Sequence, residues 1–301
     1  EKHLNISSSV SITDEMWIES IKKAQEFSKL PPLPELEMCI RDRYVDIGVA
    51  TSYSHRAYHF GSLLALSTIL FRRKVCVQAG VETIYPNMFM FVVGLSTVSG
   101  KSSACNATLK RFGETIMPPD IMNGDVKYNS PDGARAITGT ISESGIIQTL
   151  DEKANLFWSW DDAGAFFDGI ESWNAPMLST LCSVYDCNKI ERILSSRGKK
   201  EGVKNEWRCN NPFVSLLFNM TIGDLESHLN KKVMSSGFAP RVMWFLEQGG
   251  RRKSNEDIDP EILVKISNIR NRLSEMNKLM QTIKKDESVI FETSKLIEDW
   301  C

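Results

Sequence analysis

No stretch of the 301-residue chain approaches twenty consecutive apolar residues. That is the length a helix needs to span the hydrocarbon of a bilayer, so the sequence predicts no membrane partner. The opening residues also lack a signal-peptide pattern, and the expected location is cytoplasmic. Charge of one sign is missing as well: 36 Lys and Arg stand against 38 Asp and Glu, a net −2. No overall field draws the chain to nucleic acid, and any such contact has to come from local patches. The seven cysteines (39, 76, 105, 182, 187, 209, 301) are odd in number and lack the paired short spacings of zinc sites. They fit a reducing compartment, with Cys182 and Cys187 read as small core residues. Histidine is scarce, four in all; His55 and His59 share a helical face, but no glutamate follows His55 as zinc hydrolases of that spacing require. The charged and apolar fractions, 25% and 42%, are those of an ordinary globular protein.

What is present begins with Met88-Phe-Met-Phe-Val-Val-Gly94-Leu-Ser-Thr-Val-Ser99-Gly100-Lys101-Ser102-Ser103. An apolar strand breaks into a small-residue loop that ends in Gly-Lys-Ser and opens a helix at about Ser102. This order suits a phosphate-binding loop, in which backbone N–H groups wrap the phosphates, the lysine reaches the outer ones and the following hydroxyl holds Mg²⁺. Gly94, Ser99, Gly100, Lys101, Ser102 and Ser103 are the predicted nucleotide contacts. Five residues separate Gly94 from Gly100 where the usual pattern has four, so either the loop is one residue long or Leu95 takes the first glycine's place. The competing reading is a plain strand-turn-helix corner with an exposed lysine.

Two further apolar runs end in polar residues. Asn155–Trp160 leads into Asp161-Asp162-Ala-Gly164, and Asn211–Phe218 leads into Asn219-Met-Thr221. Buried strands of a parallel sheet read this way, and ligands collect at their carboxyl ends. Asp161 is the predicted support for Mg²⁺, Asp162 the residue that orients or deprotonates the attacking water, and Asn219 the contact to water or γ-phosphate, with Thr221 in reserve. Asp162 equally fits a helix N-cap, and Asn219 an ordinary loop amide. Ser236-Gly237-Phe238-Ala-Pro-Arg241 then delivers an arginine just ahead of Val242–Leu246. Arg241 is a candidate arginine finger acting across a subunit boundary, or else one half of a surface ion pair.

Tyr85-Pro86-Asn87, the Gly100-Lys101-Ser102 loop, Ser142-Glu-Ser-Gly145 with Leu150, Trp160-Asp161-Asp162-Ala-Gly164, and Ser236-Gly237-Phe238 with Arg241 together resemble a family of P-loop ATPases from phages, plasmids and other mobile elements. That family is described as primase-helicases or as a domain of unknown function. The resemblance covers roughly residues 30 to 300. It implies ATP and Mg²⁺ as cofactors, a role in DNA replication, a homo-oligomeric ring and a primase-polymerase module as companion. The chain departs from the family in having Asp161-Asp162 where Asp-Glu is usual, and in its long glycine spacing.

The expected fold is α/β, a P-loop NTPase core of RecA-like or AAA+-like parallel sheet with crossover helices, flanked by helical regions. The divisions are 1–74 (N-terminal helices, including an amphipathic helix over 14–30 and a proline linker at 31–34), 75–250 (core) and 251–301 (helices over 260–282 and 291–301). Arg72-Arg73-Lys74 reads as a cationic helix terminus. The opening Glu1 and closing Cys301 suggest a piece of a longer protein. Between the second and third strands, residues 188–208 hold seven basic residues against three acidic ones. Arg197, Lys199, Lys200, Lys204 and Arg208 are the candidate contacts to single- or double-stranded DNA, with an aromatic available for stacking, or else a solvated loop. Arg251-Arg252-Lys253 is a second basic cluster. The function expected is Mg²⁺-dependent ATP hydrolysis by a helicase-like motor. The alternatives are a nucleotide-dependent switch in a defence or regulatory assembly, and a degenerate NTPase scaffold.

Overall fold

Side chains that are apolar without alternation belong in strands covered on both faces, and three such runs form the centre of the principal sheet. In the computed structural model these are β3 (Phe89–Gly94), buried at all six positions, β7 (Asn155–Trp160) and β10 (Phe213–Thr221), buried at all but the last. The structure describes residues 40–79, 81–96, 99–117, 119–122, 125–128, 134–193, 206–228, 233, 236–247, 260–283 and 289–291. All of them belong to the unit Ile40–Cys301. With β6 (Ala134–Thr138) and β11 (Val242–Glu247) the sheet has five parallel strands in the order β11-β3-β10-β7-β6. The strand β10, last but one in sequence, therefore lies between β3 and β7.

Helices cover both faces. One layer consists of α1 (Ile40–Thr51), α2 (Arg56–Phe71), α3 (Lys101–Ile116) and α8 (Pro260–Thr282); Tyr44, Leu66, Phe112 and Ile269 meet Met90, Val92 and Leu217 of the sheet there. The opposite layer holds α4 (Glu143–Glu152), α5 (Ala163–Ser172), α6 (Met177–Tyr185) and the short α7 (Ile222–His228), whose Ile146, Phe166, Leu181 and Leu225 pack on Phe91, Trp158 and Phe218. The described helices of the two flanking regions, together with α3, thus cover one face of the sheet.

Three small strand pairings surround this core. β1 (Val75–Ala79) lies between β2 (Glu82–Ile84), antiparallel, and β12 (Val289–Phe291), parallel. β4 (Pro119–Met122) pairs with β5 (Asp125–Tyr128), and β8 (Ile190–Ile193) with β9 (Glu206–Cys209). Phe291 is consequently a strand residue and not the start of a helix over 291–301; residues 292–301 lie outside the described set. So do the expected helix at 14–30, the prolines at 31–34 and the cluster 251–253. The triplet Arg72–Lys74 is no solvent-facing helix end. Arg72 (φ 51°) breaks α2 into a 3₁₀ turn, Arg72 and Lys74 are buried, Lys74 Nζ donates to Met280 O at 2.6 Å, and Arg73 lies 3.9 Å over the Tyr85 ring.

Candidate active site

Parallel strands end together, so the residues that follow β3, β7 and β10 converge on one edge. Thr221 is level with Gly94, and Phe218 with Trp160. Asn219 Nδ2 donates to Asp161 Oδ1 at 2.6 Å, and Asn106 Nδ2 reaches Asp161 Oδ2 at 3.4 Å. Asn219 is 1% exposed, whereas Asp161 is open to solvent.

Lys101 opens α3. Its Nζ donates to the carbonyls of Gly94 (2.9 Å) and Leu95 (3.1 Å), which leaves it 8% exposed. Burial lowers its affinity for a proton, and the nearby charge of Asp224 works in the opposite direction. Ser99 Oγ donates to Leu95 O at 2.7 Å. Ser102 is half-buried and Ser103 exposed; Thr97 and Val98 lie outside the described residues.

Both loop glycines are explained by one stretch of chain, the α1–α2 connection and the first turn of α2. Tyr58 Oη donates to Val93 O at 2.9 Å, and a Cβ on Gly94 would run into that hydroxyl and approach Ser99 Oγ to 2.9 Å. Ser54 Oγ donates to Gly100 O at 2.6 Å. Gly100 has φ 71°, a left-handed conformation that side chains disfavour, and a Cβ there would lie 2.8 Å from Ser54 Oγ. Ser52 Oγ, which accepts from Ser54 N, bonds the buried His59 Nε2 at 2.8 Å. Burial above all, helped by Arg111 and His55, pushes the His59 imidazole down to about 4.

Asp162 is the N-cap of α5, its Oδ1 accepting from Ala165 N at 3.3 Å. Thr221 is absorbed by Asp224, whose Oδ2 accepts from its hydroxyl (2.6 Å) and backbone N–H (3.2 Å), while Asp224 N donates back to Thr221 Oγ1. Three contributors went unread in the sequence: Asp224, Asn106 and Cys105, whose thiol donates to Asn219 Oδ1 at 3.1 Å. Thr221-x-x-Asp224 is a capping-box pattern. Cys105 lies one helical turn beyond Lys101 and so shares its face.

Arg241 stands apart. Val242 is level with Phe89 and Glu247 with Gly94, which puts Arg241 at the opposite, amino edge of the sheet, about 17 Å along the strands from the loop. Its Nε and Nη2 grip both oxygens of Asp186 (3.0 and 2.7 Å), and Nη1 donates to Gly237 O. Of the basic candidates, Arg197, Lys199, Lys200 and Lys204 lie outside the described residues. Arg208 is paired with Glu206 (2.8 Å) and Glu191 (3.2 Å), and Trp207, the aromatic of that segment, packs against the core. The β8–β9 pair packs against α4, to which Arg208 N donates at Asp151 Oδ1 and Arg192 is ion-paired at Glu143.

Among the described residues no three His, Cys, Asp or Glu side chains converge as a metal cage, and no helix is long and apolar enough to cross a membrane. Ser102 and Asp161 offer hard oxygen donors only, which suits Mg²⁺ held jointly with phosphate oxygens and water better than a protein-only cage. No protein-family model matches the chain, and no curated protein matches it.

Proposed function

We propose that the chain is the Mg²⁺-dependent ATPase core of a replication-associated, helicase-like P-loop motor acting on DNA. The observation that carries this reading is the convergence, at one edge of three adjacent parallel strands, of Lys101, Asn219 and Asp161 beside a left-handed Gly100. Insertion of β10 between β3 and β7 sets a buried amide between the lysine loop and the acidic strand end. This is the position from which a polar side chain contacts the attacking water or the γ-phosphate.

In this reading Lys101 exchanges its two carbonyl partners for β/γ-phosphate oxygens, and the first N–H groups of α3 add the positive end of the helix dipole. Asn219 spends one N–H on Asp161 and keeps the other for water or phosphate. Ser102 and Asp161 would hold Mg²⁺, which neutralises charge on the phosphates during phosphoryl transfer. Asp162 positions water with the oxygen not engaged by Ala165. Arg241 is too far along the sheet to serve its own loop and acts on the site of a neighbouring copy in a homo-oligomeric ring. Arg197, Lys199, Lys200 and Lys204 grip DNA, and a primase-polymerase module is the fitting companion.

One observation favours a second reading, a slow nucleotide switch: Asp162 serves as a helix cap, and no glutamate is there to activate water. ATP hydrolysis with and without single-stranded DNA, on wild type and Lys101→Ala side by side, separates the two. Turnover that depends on the lysine, falls on the order of 10²–10³-fold without it and rises with DNA is expected of a motor. DNA-independent, very slow turnover marks the switch. Lack of any Mg²⁺-ATP-dependent rise in melting temperature, which at a hundred times the dissociation constant corresponds to about 2.7 kcal/mol, leaves only a scaffold.

A further inference from the structure

The inner end of the Asn219 carboxamide is as closely partnered as the end that meets Asp161. A carboxylate can only accept, so the amide must present Nδ2 to Asp161, and this turns Oδ1 inward. There it meets Cys105 Sγ at 3.1 Å. The thiol has one proton and two neighbours, Asn219 Oδ1 and Ser62 Oγ, the latter also at 3.1 Å. Ser62 has already committed its own proton to Tyr58 O at 2.6 Å. Burial pushes the Cys105 thiol up to about 12, so it stays protonated and able to donate at any working pH. A flipped amide would set its carbonyl against Asp161 and lose that bond, and the thiol would give up its bond to Oδ1, turning its proton to Ser62 Oγ and accepting only weakly from the NH₂.

We propose that Cys105 is a positioning residue for the ATPase reaction, holding the Asn219 carboxamide in the one orientation that leaves an N–H facing the nucleotide. The inference rests on the ATPase reading above. Cys105 touches neither nucleotide nor water; it acts through Asn219 alone. The thiol is a weak donor, but its loss leaves a buried carbonyl oxygen unsatisfied, and that penalty competes directly with the productive orientation.

The test is steady-state ATP hydrolysis by wild type, Cys105→Ala, Cys105→Val, Cys105→Ser, Asn219→Ala and the double variant Cys105→Ala/Asn219→Ala, each with its melting temperature. The valine variant fills the thiol's space without a donor and serves should the alanine variant fold poorly. Removal of the donor is expected to lower kcat roughly tenfold with KM within about twofold, and serine to restore kcat to within about threefold. Because the effect passes through Asn219, the double variant should be no slower than Asn219→Ala alone. Unchanged kcat in the donor-free variants, or losses that multiply in the double variant, overturns the positioning role while wild-type turnover stands. If wild type hydrolyses ATP no faster than Lys101→Ala and Mg²⁺-ATP does not raise its melting temperature, the ATPase reading itself falls, and the inference with it.

Discussion

The two edges of the principal sheet carry the same kinds of side chain in opposite condition. At the amino edge Arg241 is held by an anion: both Asp186 oxygens and Gly237 O accept from it, Tyr185 lies beside it, and a groove of about 290 Å³ opens between Met88, Tyr185, Pro240 and Met243. At the carboxyl edge Lys101 is held only by neutral carbonyls, Asn219 has an N–H to spare, and one face of Asp161 is open. Trading a carbonyl for a phosphate oxygen improves the lysine's partner, since an anionic acceptor adds charge–charge attraction to a bond whose donor alone was charged. Trading Asp186 for a phosphate merely replaces one anion with another. The lesson is that a ready site is recognised by partners that are cheap to exchange, and on the function proposed above the amino edge would become one only where a second copy brought a phosphate to it.

The sharpest way to break this contrast is Arg241→Ala. If the proposed ring forms, its ATP turnover should fall on the order of 10³-fold, and mixing it with Lys101→Ala, which keeps its arginine, should bring turnover back. Yet the same variant should lose no more than about 1 kcal/mol of stability, because the Arg241–Asp186 pair is part-exposed. Turnover that stays high in Arg241→Ala would confine the chemistry to the carboxyl edge. Next in size, Asp161→Asn should cost about 10²-fold in kcat while the Asn219 contact survives in weakened form, read by steady-state kinetics.

Acid should undo the footing of the carboxyl edge. His59 is neutral when folded, with its imidazole pushed to about 4, and titrates near 6.5 when unfolded. Between those values the unfolded chain binds the extra proton. The histidine's contribution is therefore intact above pH 6.5 and disappears as the pH falls towards 4, a loss of roughly 3 kcal/mol. Urea midpoints measured across that range should slope in wild type and flatten in His59→Gln. Smallest of the four, Gly94→Ala should destabilise by about 2 kcal/mol through the collision with Tyr58, and Tyr58→Phe in the same chain should recover part of it. Chemical denaturation of the single and double variants checks this.

Much of the principal sheet was legible because strands covered on both faces leave an uninterrupted apolar signature: β3, β7, β10 and β11 all lie where the runs placed them. Helix Pro260–Thr282 was legible from its apolar stripe and opening proline. Strand order was not, since nothing in a run of apolar residues says which neighbour it will take. Nor was the clasp of Ser54 and Tyr58 on the loop, because its partners are 46 and 35 residues apart and neither is unusual locally. The burial of Arg72 and Lys74 escaped for the same reason: a basic triplet after a helix looks solvent-bound until Met280, far away in sequence, supplies the carbonyl. At the candidate site, the strand-end reading picked out Lys101, Asp161 and Asn219, which the structure brings to one edge of the sheet, Asn219 from within the end of β10 and not beyond it. Asp162 was found but its capping bond was equally foreseeable, and Cys105 was passed over because a cysteine in a helix reads as packing.

The pairing of β1 with β12 sets the timetable of biosynthesis. Lys74 and Met280 are 206 residues apart, and β12 follows Met280. At ribosomal rates of roughly 5–20 residues per second, the start of β1 waits on the order of ten seconds or more before its parallel partner has been made. Through that interval its far edge, with Val75, Cys76 and Val77, is open to any other strand in the cell. Among the described strand pairings β1–β12 spans the longest stretch of sequence, so the strand that waits longest for a partner is one remote from the lysine loop.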